Sequence, residues 1–343
     1  MSKRVPLTGI FLINLGTPQS PSVPDVRRYL REFLMDGRVI DIPWLKRFFL
    51  VNCVIAPFRA PQSAKIYQLL WTREGSPLKV SGYKVKELLQ KKLGNNFHVA
   101  LGMRYQFPTI QSALDELKKA HVDKLIVLPL YPQYASASTG STIEKVMEEL
   151  RKDEIIPDVQ FISKFFEHEL FIKSFAEKGK RYLPNNYDHF IFSYHGLPER
   201  QIRKASLDNY CQLDKCCGSY HAKNQYCYRA QCFETTRLLA KALNIAETNY
   251  TVSFQSRLGK EPWIKPYTDV VIEELARKGV KKILCFSPAF VADCLETAIE
   301  IRVEYKKLFL EHGGERLDLV ESLNESASWI DCLADIITCG RKD

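Results

Sequence analysis

The sequence lacks the features that would assign it directly to a membrane-spanning or nucleotide-dependent class. No stretch reaches the roughly 18 consecutive apolar residues that a membrane-spanning helix needs. The phosphate-loop pattern GxxxxGK(S/T) and the dinucleotide pattern GxGxxG do not occur. The 16 glycines and 17 prolines are close to average, which excludes collagen-like and low-complexity chains. A length of 343 residues favours about two globular domains.

Charge and cysteine content indicate which partners and which cell compartment suit this chain. The chain has 49 Lys and Arg against 40 Asp and Glu, and its net charge of +9 fits an acidic substrate, an anionic membrane surface or nucleic acid. The first apolar run covers only Gly9 to Leu15 and precedes no small-residue cleavage site, so it predicts a buried strand rather than a signal peptide. We therefore expect a cytoplasmic protein whose ten cysteines are not paired as disulfides.

Short apolar runs alternate with amphipathic stretches along the chain. This alternation predicts an α/β fold with parallel sheets flanked by helices. Helices are expected over Gln62–Leu70, Thr109–Ala120, Phe233–Ala242 and Asp293–Glu311. The predicted strands are Gly9–Asn14, His98–Met103, Lys124–Leu130, Val159–Ser163, His189–Tyr194, Tyr250–Phe254, Lys281–Ser287 and Leu317–Val320.

The two halves of the chain resemble each other in three places. The matching segments occur in the same order: 9–18 with 189–198, 99–104 with 252–257 and 122–128 with 280–286. The shared order predicts two similar lobes with four strands each and a cleft between them. Because open parallel sheets bind ligands beyond the carboxyl ends of their strands, residues that follow strands are the functional candidates.

Histidine and carboxylate side chains follow predicted strands of the second lobe. His195 ends the strand in Ser-Tyr-His-Gly-Leu-Pro, where a neutral imidazole can bind a metal or accept a proton; a structural bond to backbone is the alternative. Glu296, Glu300 and Glu304 recur every four residues and share one helix face, with Asp293 one turn earlier. The row indicates either a solvated face or a path for cations or protons to Glu296.

The first lobe offers cationic and hydroxyl groups after its strands. Arg104 and Tyr105 follow one predicted strand, and Tyr131 follows another. The segment from Tyr131 to Ser141 is rich in hydroxyl groups, contains Ser138 and leads into a helix. A helix start with free N–H groups is suited to holding an anion.

Five of the ten cysteines lie close together, with the spacing C-x4-C-C-x9-C-x4-C. Thiolates at this density are typical of zinc sites and iron–sulfur clusters, whereas unconnected thiols in a loop are the alternative. Four ligands would leave one cysteine unused, and the spacing does not identify it. The candidates are Cys211, Cys216, Cys217, Cys227 and Cys232.

The segment Ile42–Pro61 is apolar and aromatic, with interspersed Lys46, Arg47 and Arg59. It is too short to span a bilayer. It predicts either a buried helix or a lip that lies in a membrane interface.

Together these motifs resemble the ferrochelatase family, whose members insert ferrous iron into a porphyrin to make haem. The resemblance covers nearly the whole chain. Its segments are Leu12–Pro18, Gly75–Pro77, Gly102–Tyr105, Leu130–Tyr134, Ser193–Pro198, Phe254–Arg257, Glu261–Trp263 and Ala289–Thr297.

The resemblance implies two Rossmann-like lobes with four-stranded parallel sheets. Residues 1–165 would form the first lobe, with the membrane or substrate lip near 42–61. Residues 166–315 would form the second, with the cysteine-rich insertion at 205–232. Residues 316–343 would supply a strand and a helix, about Ala327–Thr338, that packs back onto the first lobe.

The resemblance also implies roles for single residues. His195 and Glu296 match the facing catalytic pair that meets Fe²⁺, and Asp293, Glu300 and Glu304 match an acidic file for metal or protons. Substrate binding falls to Arg104, Tyr105, Tyr131, Trp263 and Phe290, with Ser138 in the loop that would anchor propionates.

Two positions depart from the pattern of some members. Cys294 stands where some carry histidine, which argues against a metal path there. Leu15, a further candidate for substrate binding, stands where members that act on coproporphyrin tend to carry tyrosine. This difference favours protoporphyrin IX as the substrate.

The insertion at 205–232 resembles that of a subclass with a 2Fe–2S cluster on internal cysteines. Besides Fe²⁺ and protoporphyrin IX, the expected partner is the inner-membrane surface, in peripheral contact, and no nucleic acid. Two alternatives stay open. One is another tetrapyrrole chelatase that uses cobalt or coproporphyrin; the other is a non-catalytic carrier or sensor of haem or metal.

Overall fold

The computed structural model describes residues 6–213, 215–259 and 261–339, and within them the chain forms two compact units. The first unit comprises the described residues up to Tyr131, the range Ala135–Lys164, and the residues from Leu333 onward. The second comprises Pro132–Tyr134 and Phe165–Cys332. The division thus falls within the C-terminal helix.

The first unit contains a four-stranded sheet with the order β2-β1-β3-β4, and every neighbouring pair is parallel. Its central strand is completely buried over Ile10–Ile13, which explains why it reads as an unbroken apolar run. The strands are β1 (Thr8–Gly16), β2 (Phe97–Tyr105), β3 (Lys124–Pro129) and β4 (Asp158–Phe161).

The second unit repeats this arrangement with the order β6-β5-β7-β8, again entirely parallel. The matching order confirms the two similar four-stranded lobes expected from the internal sequence repeat. The strands are β5 (His189–His195), β6 (Tyr250–Gln255), β7 (Lys282–Phe286) and β8 (Arg316–Leu319).

The helices of the first unit begin with local signals that the sequence provides. In α1, Ser22 caps the first turn by accepting a hydrogen bond from the Asp25 N–H, and in α5 Thr109 does the same for Ser112. The helices are α1 (Val23–Leu34), α2 (Trp44–Phe49), α3 (Ala56–Leu70), α4 (Pro77–Leu93), α5 (Ile110–Lys119) and α6 (Ser141–Leu150). Two π-helical turns, Leu50–Ile55 and Ser136–Gly140, precede α3 and α6.

The helices that follow are α7 (Glu169–Lys180), α8 (Glu199–Lys204), α9 (Tyr228–Ala242), α10 (Thr268–Arg277), α11 (Lys306–Glu311) and α12 (Ala327–Cys339). Short 3-10 turns connect several of them. These are Leu183–Asn185, Leu207–Asn209, Lys215–Cys217, Ala222–Asn224 and Glu247–Asn249.

Each sheet packs its own apolar core. In the first unit, α5 and α6 cover side chains such as Phe11 and Val127 of the central strands. In the second, α10 and α11 cover Ile191 and Ile283 in the same way. Both cores therefore hold the carboxyl ends of the central strands in fixed places.

The expected helix over Asp293–Glu311 differs in form from the observed one. A π-helix occupies Glu296–Tyr305 and continues as α11. The periodicity indicated a helix but not its winding, because residues four apart share a face in either form. Long π-helical stretches are rare and are found mostly at functional sites.

The segment Ile42–Pro61 forms α2, a π-helical turn and the start of α3. It is not a fully buried helix: Trp44, Phe49 and Phe58 are 58%, 60% and 78% exposed. Only small or slender residues such as Val51 and Ala56 face the interior. No helix in the described part of the chain is long and apolar enough to cross a membrane.

Candidate active site

His195 is the last residue of β5, and its imidazole has a defined tautomer. The ring Nδ1 lies 2.6 Å from the carbonyl oxygen of Gly196. Because a carbonyl oxygen only accepts hydrogen bonds, Nδ1 carries the proton and donates it. In the neutral ring the lone pair is therefore on Nε2, the nitrogen that can take a proton or a metal ion.

The peptide unit between His195 and Gly196 is held on both sides. The Gly196 N–H donates to the Gln255 carbonyl oxygen at 2.8 Å, which extends the pairing with β6. On the opposite side, the Tyr228 hydroxyl donates to the His195 carbonyl oxygen at 2.9 Å. A Cβ on Gly196 would lie 2.9 Å from the Gln255 carbonyl oxygen and 3.1 Å from the Trp263 ring, so this position requires glycine.

Two aromatic rings stand beside the imidazole. The centroids of Trp263 and Phe290 each lie 6.4 Å from that of His195. Trp263 is placed there by a short antiparallel bridge with Pro198, flanked by a hydrogen bond from Ile264 N–H to the Leu197 carbonyl. The structure thus brings the rings of His195, Trp263 and Phe290 together.

Glu296 begins the π-helix, next to the end of β6. The Gln255 side chain joins the two elements, because its Nε2 donates to the Glu296 carbonyl oxygen at 3.0 Å. Its Oε1 accepts a hydrogen bond from Ser193 at 2.7 Å. Burial and the neighbouring Glu296 carboxylate raise the pKa of the Cys294 thiol well above its usual value. Cys294 is therefore a neutral neighbour of Glu296.

Glu300 is a carboxylate held by four donors. Its Oε1 accepts from the Ser256 N–H at 2.9 Å and from the Tyr305 hydroxyl at 2.7 Å. Its Oε2 accepts from Gln255 Nε2 at 2.9 Å and from the Ser256 hydroxyl. Burial and the charge of Glu300 raise the pKa of Tyr305 far above its usual range. The Glu300 carboxyl group is thus fixed in place through both of its oxygens.

Asp293 and Glu304 differ in their surroundings. Asp293 accepts hydrogen bonds from the Thr297 hydroxyl at 3.1 Å and the Asn324 amide at 3.0 Å, and Arg302 lies 3.9 Å away. Glu304 is largely exposed, and partial burial together with the charge of Glu300 raises its pKa. The raised pKa of Glu304 favours proton uptake by this side chain.

In the first unit, Arg104 and Tyr105 converge on a carboxylate that the sequence did not single out. Asp36 accepts hydrogen bonds from the Arg104 guanidinium, from the Tyr105 hydroxyl at 2.9 Å and from the Ser141 hydroxyl. The Asp36 and Arg104 side chains are only 5% and 14% exposed. Burial opposes ionisation of Asp36, but Ser141, the Arg38 N–H and Arg104 together lower its pKa.

The other first-unit candidates lie on the same sheet edge. Leu15 is the penultimate residue of β1, and Tyr131 follows β3. Burial raises the pKa of Tyr131 far above its usual range, with smaller opposing effects of Thr142 and Arg104. Ser138 lies in the π-helical turn that leads into α6.

The cysteine segment surrounds a small cavity lined by Cys211, Cys216 and Cys227 together with Tyr210, Lys223 and Asn224. The sulfur atoms of Cys216 and Cys217 lie 3.9 Å apart. A hydrogen bond from the Cys217 thiol lowers the pKa of Cys227 despite its burial. Cys232 is fully buried in α9. Within the described residues, no three His, Cys, Asp or Glu side chains are arranged to hold a single metal ion.

Sequence reasoning missed Asp36, Gln255 and Tyr228. Each contacts a candidate residue that is distant along the chain, over separations of 68, 45 and 33 positions. Gln255 lies within Phe254–Arg257, one of the segments that resemble the ferrochelatase family, so the sequence could have pointed to this residue. Asp36 and Tyr228 carried no such signal.

Two solved structures share this arrangement of sheets and helices. SirB from Bacillus subtilis with Fe³⁺ matches with a TM-score of 0.54 over 98% of this chain and 99% of that chain, at 11% identity. The sirohydrochlorin chelatase SirB from Bacillus subtilis subspecies spizizenii, in complex with cobalt, matches with a TM-score of 0.53 over 95% and 92%, at 9% identity. At these identities the likeness defines the fold class alone.

Sequence comparison identifies the family. The ferrochelatase family model matches residues 7–340. A ferrochelatase from Legionella pneumophila (strain Philadelphia 1) is 47% identical over 96% of this chain and 98% of the relative. One from Coxiella burnetii (strain Dugway 5J108-111) is 46% identical over 95% and 92%. The chain belongs to the ferrochelatase family.

Proposed function

We propose that this chain inserts Fe²⁺ into protoporphyrin IX, with release of two protons, in the terminal step of haem biosynthesis. Family membership supports metal chelation as the reaction. The observation that carries the assignment to a site is the His195 imidazole, whose Nδ1–H is held by Gly196 and whose Nε2 is left as the basic atom. Each metal ion that enters the ring replaces two pyrrole N–H protons, so a base at this point serves the reaction directly.

His195 and Glu296 divide the work at the reacting centre. His195 Nε2 takes a pyrrole proton or meets the iron, and Glu296 assists proton removal from its place at the start of the π-helix. The shared partner Gln255 supports their action together, because it pairs with His195 in the sheet and binds the Glu296 backbone. Trp263 and Phe290 pack on the macrocycle beside the imidazole.

The acidic row carries protons or cations away from or toward Glu296. Glu300 is the fixed member of the row, since four donors hold its carboxylate. Glu304 is the outer member, and its raised pKa suits it to take up a proton and release it to solvent. Asp293 completes the row on the other side of Glu296.

The first unit contributes to porphyrin binding through Arg104, Tyr105, Tyr131, Ser138 and Leu15. Arg104 is oriented by Asp36 and Ser141, so a propionate would meet a guanidinium that is already fixed in place. The apolar Leu15 favours protoporphyrin over the more acidic coproporphyrin.

The cysteine segment holds a 2Fe–2S cluster in our proposal. Sulfur atoms bound to one tetrahedral metal at about 2.3 Å lie about 3.8 Å apart, and the observed separation of Cys216 and Cys217 fits that value. We assign Cys211, Cys216, Cys217 and Cys227 as ligands, because Cys211, Cys216 and Cys227 line one cavity and Cys217 lies beside Cys216. Cys232 is the unused thiol. Cys227→Ser should then abolish the visible cluster spectrum and lower the iron content, whereas Cys232→Ser should leave both intact.

The exposed apolar surface of Ile42–Pro61 makes peripheral contact with a membrane in our proposal. Exposed Lys46 and Arg59 flank its aromatic side chains, which suits an anionic lipid surface. Co-sedimentation with anionic vesicles should fall for Phe49→Ser and Phe58→Ser. The control Ile155→Ser removes an apolar side chain that is equally exposed elsewhere. An equal loss in all three variants would contradict a specific contact.

The central experiment mixes the protein anaerobically with Fe²⁺ and protoporphyrin IX and follows the Soret band. His195→Ala should abolish insertion while porphyrin binding, measured by fluorescence quenching, persists. His189→Ala makes the same change at the other end of β5, where the ring contacts Thr251, and should keep activity. Normal turnover by His195→Ala would overturn the assignment. Faster reaction with Co²⁺ or coproporphyrin would replace the substrate but keep the site.

A further inference from the structure

The cysteine segment is connected to His195 through one side chain. Tyr228 is the first residue of α9 and follows Cys227 directly. Its phenol ring is 7% exposed, and its hydroxyl donates to the His195 carbonyl oxygen at 2.9 Å. A residue of the segment that carries the cysteines therefore touches the backbone of the candidate catalytic residue.

The His195 carbonyl needs this donor because the sheet does not supply one. Within a trans peptide unit, the C=O and the following N–H point in opposite directions. The Gly196 N–H faces β6, so the His195 C=O faces the β7 side, where the pairing of β5 with β7 already ends at Phe192. Tyr228 takes the place that a strand neighbour would have.

The orientation of the imidazole follows from this peptide unit. His195 Nδ1 donates to the carbonyl of Gly196, the next residue along. That carbonyl belongs to the next peptide unit, so a change of ψ at His195 that is not compensated at Gly196 would move the acceptor and change the direction of Nε2. The Tyr228 hydroxyl and the Gln255 carbonyl oxygen fix the unit between residues 195 and 196 from its two sides.

The cysteine segment in turn fixes the start of α9. Asn224 donates to the carbonyl oxygens of Cys216 and Ser219 at 3.0 and 2.7 Å, and its own carbonyl accepts from the Cys227 N–H at 2.8 Å. Further along the helix, Thr236 is hydrogen-bonded to the Tyr194 hydroxyl at 2.9 Å. The position of α9 therefore depends both on the cysteine segment and on the end of β5.

We propose that Tyr228 is a positioning residue for His195, through which the fold of the cysteine segment sets the direction of the His195 imidazole. The inference rests on the proposed function for its effect on rate. Its structural part does not, because the state of the imidazole can be measured without turnover.

Tyr228→Phe in the full chain tests the proposal, since it keeps the ring and removes only the hydroxyl. We expect kcat for iron insertion to fall about tenfold, or about 1.4 kcal/mol, with the KM for porphyrin unchanged. The ¹⁵N resonances of the His195 ring, assigned by their loss in His195→Ala, should shift toward the other tautomer. Tyr220→Phe is the matched control, because it removes a phenol hydroxyl of the same segment that donates to Gln225.

A second variant acts from the cysteine side. Asn224→Asp removes the two amide donors that hold the segment and keeps the Tyr228 and His195 side chains chemically unchanged. We expect the same displacement of the His195 ¹⁵N resonances as in Tyr228→Phe. Unchanged His195 resonances in a folded Tyr228→Phe or Asn224→Asp protein, or an equal shift in Tyr220→Phe, would overturn the proposal. If the parent protein does not insert iron, the proposed function is refuted. The resonance shifts then still test this inference.

Discussion

The substitution Glu300→Gln is conservative in shape, but it should lower the stability of the second unit substantially. The carboxylate accepts four hydrogen bonds, two at each oxygen. A glutamine amide keeps one oxygen and places an NH₂ group where the other was. The Ser256 and Tyr305 hydroxyls can rotate to accept from this group, but the N–H groups of Ser256 and Gln255 cannot.

In either orientation of the amide, therefore, one buried N–H donor faces another donor. Hydrogen bonds to charged groups contribute about 1.5–3 kcal/mol, against about 0.5–1.5 kcal/mol for neutral ones. One lost bond and the weakening of the others amount to about 2–4 kcal/mol. For a unit of this size the loss corresponds to a fall in Tm of roughly 4–16 °C, at about 2–4 °C for each kcal/mol.

The assay is thermal unfolding of the full chain, followed by circular dichroism for the parent, Glu300→Gln and Glu304→Gln. Glu304 is the matched control, because it lies on the same face and is exposed, and its pKa is raised by partial burial together with repulsion from Glu300. Its replacement removes a repulsion and should leave Tm unchanged or slightly higher. A Glu300→Gln protein as stable as the parent, or an equal loss in Glu304→Gln, would refute the reasoning.

Three further substitutions test the other contacts. Asp36→Asn should lower the free energy of unfolding at pH 7 by about 2–4 kcal/mol. Because the folded pKa of Asp36 is depressed, this difference between variant and parent is complete above the unfolded pKa near 3.8 and disappears as the pH falls further. Urea unfolding at several pH values measures the difference. Gly196→Ala should cost about 1–3 kcal/mol through the contacts of its Cβ with Gln255 and Trp263, with a change in tryptophan fluorescence; an unperturbed spectrum would contradict it. Gln255→Leu should lower kcat for iron insertion with little change in KM, and a parent-like kcat would show that the amide does not position Glu296.

The sequence predicted the sheets well for a physical reason. Strands of a parallel sheet that is covered on both faces must be apolar along their whole length, as Ile10–Ile13 shows. Such runs are visible without knowledge of the fold. The repeat between halves then predicted two similar lobes, and the identical strand orders confirm it.

The site was only partly accessible to the same reasoning. His195, Trp263 and Phe290 were singled out from motifs, and the structure places them within ring-contact distance. Gln255 and Tyr228 were not singled out; Tyr228 acts through the backbone carbonyl of His195, and such a contact leaves no pattern in the sequence. The π-helical winding after Glu296 was not predicted for a related reason, because a spacing of four residues does not distinguish α from π geometry.

Two glycines, Gly16 at the end of β1 and Gly196 directly after β5, show how the halves of the chain differ. Gly16 lies against the carbonyl oxygen of Tyr105, the last residue of β2, just as Gly196 lies against that of Gln255, the last residue of β6. The residue before each glycine occupies the equivalent strand end, and it is leucine in one half and histidine in the other. The same backbone arrangement therefore presents an apolar side chain in one half and, in the other, an imidazole that can bind a proton or a metal ion.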